Sequence, residues 1–260
     1  MSAAVWLFAA ALLPSGPETH ARVDLPLATA ARPTTLPKDL FGVYLDTRLR
    51  HQPPWWNLPL AVGAGYGVED QLEVGIELIR LTFADGDDPE ARDLTAPLVY
   101  GRGHVDLGPL ELGGGVGLEL PLSGFRALDG ELFARLHFAD LARLDLAGRL
   151  GGRFDDPTRA LLDAEASATF SLHPRFALTV GGHLDSLRLF AETDLAVRPR
   201  AEAIFTVGDR NAPPLVDVAL SFEGPATRLE GDVEGRSSFE IGLSVVLFFD
   251  DPVRDEHDFF

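Results

Sequence analysis

The sequence predicts an all-β fold, a single antiparallel up-and-down transmembrane β-barrel of about twelve strands, with ten or fourteen as alternatives. Three observations lead there. About a dozen segments alternate apolar and polar residues with a period of two, the spacing of a strand with one apolar side. The connections between these segments are alternately short and long, as in barrels that cross a membrane. After the N-terminus, no run of about 18 apolar residues offers a spanning helix. Alternation alone also fits a secreted soluble β-barrel or a sandwich, but such folds have no reason to keep short and long connections in rotation.

The chain starts with an apolar run, Ala3 to Leu13, broken by Pro14, Ser15 and Gly16. It is too short to span a bilayer and reads as the core of a signal peptide, with Thr19-His20-Ala21 as a small-x-small cleavage site. No Lys or Arg precedes it. Residues 1–21 are therefore expected to be removed, leaving Arg22 at the mature N-terminus. Residues 22–38 carry Pro26, Pro33 and Pro37 and read as an extended segment outside any sheet.

The barrel itself is expected over 39–249, with an acidic tail at 250–260. Strand one, about 39–50, puts Phe41, Val43, Leu45 and Leu49 on one face and Tyr44, Asp46, Arg48 and Arg50 on the other. A connection of several residues leads to strand two at about 56–67, where Trp56, Leu58, Leu60, Val62, Ala64 and Tyr66 face one way. Strand three, about 71–83, sets Leu72, Val74, Ile76 and Leu78 against Glu73, Gly75 and Glu77. An acidic loop from Ala84 to Asp93 follows.

Strand four, about 94–107, meets strand five at Gly108-Pro109, a tight-turn signal. Strand five, Leu110 to Leu122, shows the pattern best. Leu110, Leu112, Val116, Leu118, Leu120 and Leu122 share one face, and Glu111, Gly113, Gly115, Gly117 and Glu119 the other. Strands six (about 131–138) and seven (about 143–154) are joined by Ala139 to Ala142, and strands eight (about 161–172) and nine (about 176–184) by His173-Pro174-Arg175. Strands ten (about 197–207) and eleven (about 215–222) flank Gly208 to Pro214, which is longer than the rotation of loops requires. A polar loop, Glu223 to Ser237, precedes the last strand, Phe239 to Phe249.

Composition excludes several function classes. A formal net charge of −18 leaves no basic stripe for a phosphate backbone, so no nucleic-acid partner is expected. Cysteine is absent, which removes disulfides, thiolate metal sites, cysteine catalysis and a lipid-modified N-terminal cysteine. No cofactor and no metal site are expected. Asp85, Asp87 and Asp88 lack the spacing of a calcium loop and read as a solvated, repelling loop. A mean hydropathy of +0.07 fits a barrel in which half of each strand is apolar.

Short turns, acidic loops, Gly-rich alternation and a last strand of form FEIGLSVVLFF together resemble Gram-negative bacterial outer-membrane β-barrel proteins, at the level of architecture and without a subfamily. The resemblance implies a place in the outer membrane among its lipids. It also implies a final strand read by the barrel-insertion machinery, for which Phe239, Ile241, Leu243, Val245, Leu247 and Phe249 supply the outward row. The family usually stops at that aromatic residue, whereas here an acidic tail follows.

The inward rows carry many charges. Arg48, Glu73, Glu119, Arg149, Glu165 and Arg200 are the candidates for a lumen lining or constriction. Either facing acidic and basic groups line a narrow aqueous path for small polar solutes, or they pair across a filled interior, because desolvated charges need partners. The corresponding functions are a porin-like channel or gated passage and a non-conducting structural or surface-recognition barrel. A barrel hydrolase is a third reading. It would need a nucleophile beside a His–carboxylate pair, for which His183, Asp185, His137, Ser167 and Ser171 are the available residues. A polar lumen would contain such groups anyway, and no catalytic residues are assigned.

Overall fold

In the computed structural model, residues 28–52, 55–85, 97–120, 127–153, 160–186, 195–209, 212–225, 227–230 and 239–250 are described. The signal segment, most of the acidic loop after Asp85 and the acidic tail after Asp250 lie outside them. The strands are β1 (Leu40–Gln52), β2 (Trp55–Glu69), β3 (Leu72–Asp85), β4 (Leu98–Leu107), β5 (Leu110–Glu119), β6 (Ala127–Phe138) and β7 (Ala142–Arg153). They continue with β8 (Ala160–His173), β9 (Phe176–Ser186), β10 (Leu195–Asp209), β11 (Ala212–Glu223), the short β12 (Thr227–Glu230) and β13 (Phe239–Asp250).

From β1 to β11 each strand pairs antiparallel with its sequence neighbour, β11 also pairs with β13, and β13 pairs with β1. The ring closes with twelve strands, β1 to β11 and β13. The four-residue β12 lies in the last long connection and pairs antiparallel with the start of β10, in line with β11. Closure leaves no free edge among these strands, the condition for a sheet to sit in an environment that offers no hydrogen bonds.

The phase of every strand follows the sequence alternation. Outward positions are apolar and bare: Leu132 is 75% exposed, Val116 61% and Leu78 53%. On β13, Ile241, Leu243 and Leu247 point out, while Glu240, Ser244, Val246 and Phe248 are buried inside. Phe249 stacks on Phe41 across the closing seam, with ring centroids 5.7 Å apart.

Two expectations about connections change. The link from β1 to β2 falls between Gln52 and Trp55, so it is a tight turn rather than a loop of several residues. Conversely β10 and β11 run on to Asp209 and Ala212, so their link is tight where a longer one was read. The reason lies at Gly208. Its φ of 132° sits at a register shift between Val207 and Asp209, where Gly208 alone stands opposite three residues of β11, 213–215, and pairing resumes at Asp209↔Ala212.

Glycines inside strands make room for lumen side chains at two places in particular. A Cβ on Gly63 would lie 2.3 Å from the Tyr44 ring, and one on Gly75 would lie 2.2 Å from the Tyr100 ring. The rings occupy the space that a larger residue on the neighbouring strand would need.

Candidate functional site

The site is the lumen, and its inner end is filled by the chain itself. Residues 28–39 do not hang away from the barrel. They cross its mouth on the side of the tight turns, with Thr29, Ala30, Arg32, Thr34, Thr35 and Leu36 all buried. A short 3-10 turn (Thr29–Ala31) rests against β7, β8 and β9.

Strand backbones are already committed to the barrel ladder, so the polar groups of this segment need side-chain partners from the wall. They find them. Arg143 donates to the carbonyl of Thr29 at 2.7 Å, His137 to that of Ala30 at 2.9 Å, and Arg135 to that of Arg32 at 3.0 Å. In the other direction, Ala30 N donates to Ser171 Oγ, Thr34 N to Glu111 Oε2 and Leu36 N to Glu73 Oε2, each at 3.0 Å. Arg32 enters a charged socket, bonding to Asp217 and, at 2.9 Å, to Thr206 Oγ1. At the rim, Lys38 Nζ donates to Glu69 at 3.0 Å, and this pairing raises the lysine pKa.

Above this layer the wall charges form paired clusters. On one side Arg48 bridges Asp46 (2.9 Å) and Glu240 (3.0 Å), and Arg50 adds a fork to Glu240. Arg200 bridges Glu165 (3.1 Å) and Glu202 (3.4 Å), and Arg48 lies within electrostatic reach of Glu202. The two bridges thus belong to one belt running from β8 to β1. Elsewhere Arg102 meets Glu131 at 3.1 Å and Arg149 meets Asp129 at 2.6 Å. Deeper, Asp145 is clasped by both Arg135 and Arg143.

The six candidate lining residues therefore separate. Arg48, Glu165 and Arg200 share the β8–β1 belt. Arg149 belongs to the β6–β7 pair, and Glu119 is buried at the loop end of β5, opposite Leu98. Glu73 serves the inner segment instead, accepting from Leu36 N and, at 3.0 Å, from the Tyr100 hydroxyl. Arg32, Thr34, Thr35, Arg102, Asp129 and Glu131 were not singled out by sequence reasoning. Arg32 sits between alanine and proline in an extended segment, and nothing local marks it for burial.

Of the two serine candidates, Ser167 pairs with Gly181, two residues from His183, and Ser171 lies away from it. His183 stands opposite Glu165, whereas Ser171 is six residues further along β8, roughly 20 Å at about 3.3 Å per residue. There Ser171 accepts the Ala30 N–H.

With this geometry in view, similarity to solved structures is informative. An outer membrane channel from Pseudomonas putida F1 superposes with a TM-score of 0.60 over 83% of this chain and 97% of that one, at 13% identity. The NanC porin gives a TM-score of 0.56 at 8% identity over 79% of this chain and 98% of its own. The KdgM porin, solved with a disordered oligogalacturonate, gives 0.54 at 10% identity over 79% and 99%. The fold is that of a bacterial outer-membrane β-barrel. No family model and no curated protein matches the chain. At such identities the barrel architecture is shared and the lining residues are this chain's own.

Proposed function

We propose that this protein is an outer-membrane channel for small polar solutes whose inner mouth is gated by its own N-terminal segment. The observation that carries the reading is the segment 28–38 seated across the lumen and held mainly by wall side chains, with backbone bonding to β2 starting at Asp39. Such an attachment is reversible without unzipping any strand. The barrel seam stays intact if the segment leaves, because β1 pairs with β13 from Leu40 onward. Paired arginines and carboxylates above it provide a polar path in which solutes exchange with fixed charges. The structural neighbours named as a channel and as porins support the same reading.

The bare apolar exterior supports a place among outer-membrane lipids, reached by export with cleavage near Arg22 and insertion through the β13 signal strand. N-terminal sequencing of folded protein that found Met1 retained would count against that route.

The deciding experiment is single-channel recording in planar bilayers. The refolded full-length mature chain should conduct weakly or intermittently, and deletion of residues 28–38 should raise conductance and steady the open state. A second reading, a non-conducting scaffold, draws on the mutual pairing of the lumen charges. It would be favoured if both proteins were electrically silent.

A further inference from the structure

At the tight-turn end of β4 and β5, His104, Asp106 and Glu111 bring one ligand atom each to within 4.8 Å of one another. His104 and Asp106 are two residues apart on one inward face, and Glu111 is the direct cross-strand partner of Asp106. The two carboxylates thus stand opposite each other, with His104 3.2 Å from Asp106 and His137 2.6 Å from Glu111.

The hydrogen bonds around His104 set its tautomer. Thr35 Oγ1 donates its single hydrogen to the carbonyl of Asp70 at 3.2 Å. With that hydrogen on the Asp70 carbonyl, the same oxygen accepts from His104 Nδ1, 3.0 Å away. In that tautomer Nε2 presents a lone pair, and it faces Asp106 Oδ1 at 3.2 Å. Two lone-pair atoms at this distance fit the edge of a coordination tetrahedron, which for an ion about 2.0–2.1 Å from its ligands is about 3.3–3.4 Å. An imidazole whose Nδ1–H is held by a protein oxygen while Nε2 is free is the usual arrangement of a metal-binding histidine.

The carboxylates are oriented as well. Asp106 Oδ2 accepts from Gln71 Nε2 at 3.1 Å, leaving Oδ1 turned towards the histidine. Glu111 accepts twice from Thr34, N and Oγ1, through Oε2, and pairs with His137 Nε2 through Oε1, which retains its second lone pair. His137 Nδ1 is in turn fixed by the Ala30 carbonyl. Arg135 acts on Glu111 from the next strand, but its guanidinium is engaged by Asp145 and the Arg32 carbonyl. Asp106, with a side chain 38% exposed, keeps the cluster open to exchange.

We propose that His104, Asp106 and Glu111 form a binding site for a zinc-like divalent cation at the inner mouth, with Thr35 as the positioning residue for His104. One nitrogen and two carboxylate oxygens suit a borderline ion such as Zn²⁺ over the oxygen-seeking Mg²⁺ or Ca²⁺, and a water completes the shell. This site does not depend on whether the barrel conducts.

The test is calorimetric titration of zinc sulfate into the untagged, chelator-stripped full-length protein, refolded in detergent. One Zn²⁺ per chain is expected, undisturbed by excess Mg²⁺. Asp106→Asn and His104→Gln should each weaken binding by at least about tenfold, and Thr35→Val, which removes the Nδ1 contact and the bond to the Asp70 carbonyl, by about tenfold. His51→Gln, away from the site, should leave it unchanged. Heat-dependent gel migration checks that each variant is folded, and Asp106→Asn, at a half-exposed position, keeps the test available if His104→Gln fails to refold. Absence of zinc binding by the wild type overturns the proposal. So does equal affinity in the folded Asp106→Asn and Thr35→Val proteins, which would place the ion at other histidines.

Discussion

Arg32 lies wholly inside the barrel with its guanidinium paired to Asp217 on β11, 185 residues away in the chain. One oxygen of Asp217 also accepts from Thr206 at 2.7 Å, so the carboxylate is fixed before the arginine reaches it. A charge buried this completely is tolerable only with its partner in place.

Removing that partner should release the segment. Leaving Arg32 buried without Asp217 would cost about 3–5 kcal/mol, and withdrawal of the segment into water relieves that cost. Because the chain has no cysteine, Thr34→Cys supplies a single reporter. Its labelling by a water-soluble maleimide should be slow in the otherwise native protein and at least about tenfold faster with Asp217→Ala. Equal rates would mean that the segment is held without Arg32.

The two faces of β5 should respond differently to the same substitution. Val116 points outward, so Val116→Arg places a charge on the apolar belt and should cost about 2–4 kcal/mol at the bilayer midplane. Gly115 points inward, where a Cβ would already sit 3.1 Å from that of Arg102, so Gly115→Arg should act by crowding the lumen. Urea-dependent refolding into vesicles and into detergent separates them. The Val116→Arg penalty should grow in the thicker hydrocarbon of vesicles, and the Gly115→Arg penalty should be similar in both.

Gly75→Ala should destabilise the barrel by about 1–3 kcal/mol through overpacking. The added methyl enters the Tyr100 ring, and Tyr100 is itself tied to Glu73. Tyr100→Leu in the same chain should restore part of the loss. A shift in the urea midpoint measures both.

If the lumen passes ions, Arg149→Ala and Glu119→Ala should shift reversal potentials in opposite directions, towards cations and anions respectively. Both shifts should shrink at about 1 M salt, where screening acts over about 3 Å. Arg149 neutralises Asp129 at 2.6 Å, so its loss uncovers a carboxylate as well as removing a cation, and its effect should be the larger. Shifts of the same sign would place one of these residues off the path.

Strand existence and phase were legible in the residues because a period of two is a local property. Leu112, Val116 and Leu120 against Glu111, Gly115 and Glu119 specify which side of β5 faces out whatever the neighbours are. Strand ends were less legible. Pairing at Asp209↔Ala212 depends on a bulge opposite Gly208, which the alternation does not register. Phase puts the six lining candidates on inward rows but carries no information on height or partner, and so Glu73 falls to the inner segment while Arg48 and Arg200 join one belt.

The amino-acid sequence by itself determined that this chain forms strands with one apolar face, which side chains enter the interior, and that twelve such strands can close. Those outcomes follow from the alternation of Cβ directions along each strand and from the balance of apolar and polar residues. Tertiary structure alone decided where residues 28–39 go and which charges meet. Arg32 and Asp217, or Thr35 and His104, have no sequence relationship, and their meeting depends on closure of the ring and on the depth at which each side chain is delivered. Inside a barrel whose backbones are already hydrogen-bonded, a buried charge must find another side chain. That requirement drew the proline-rich segment into the mouth of the lumen.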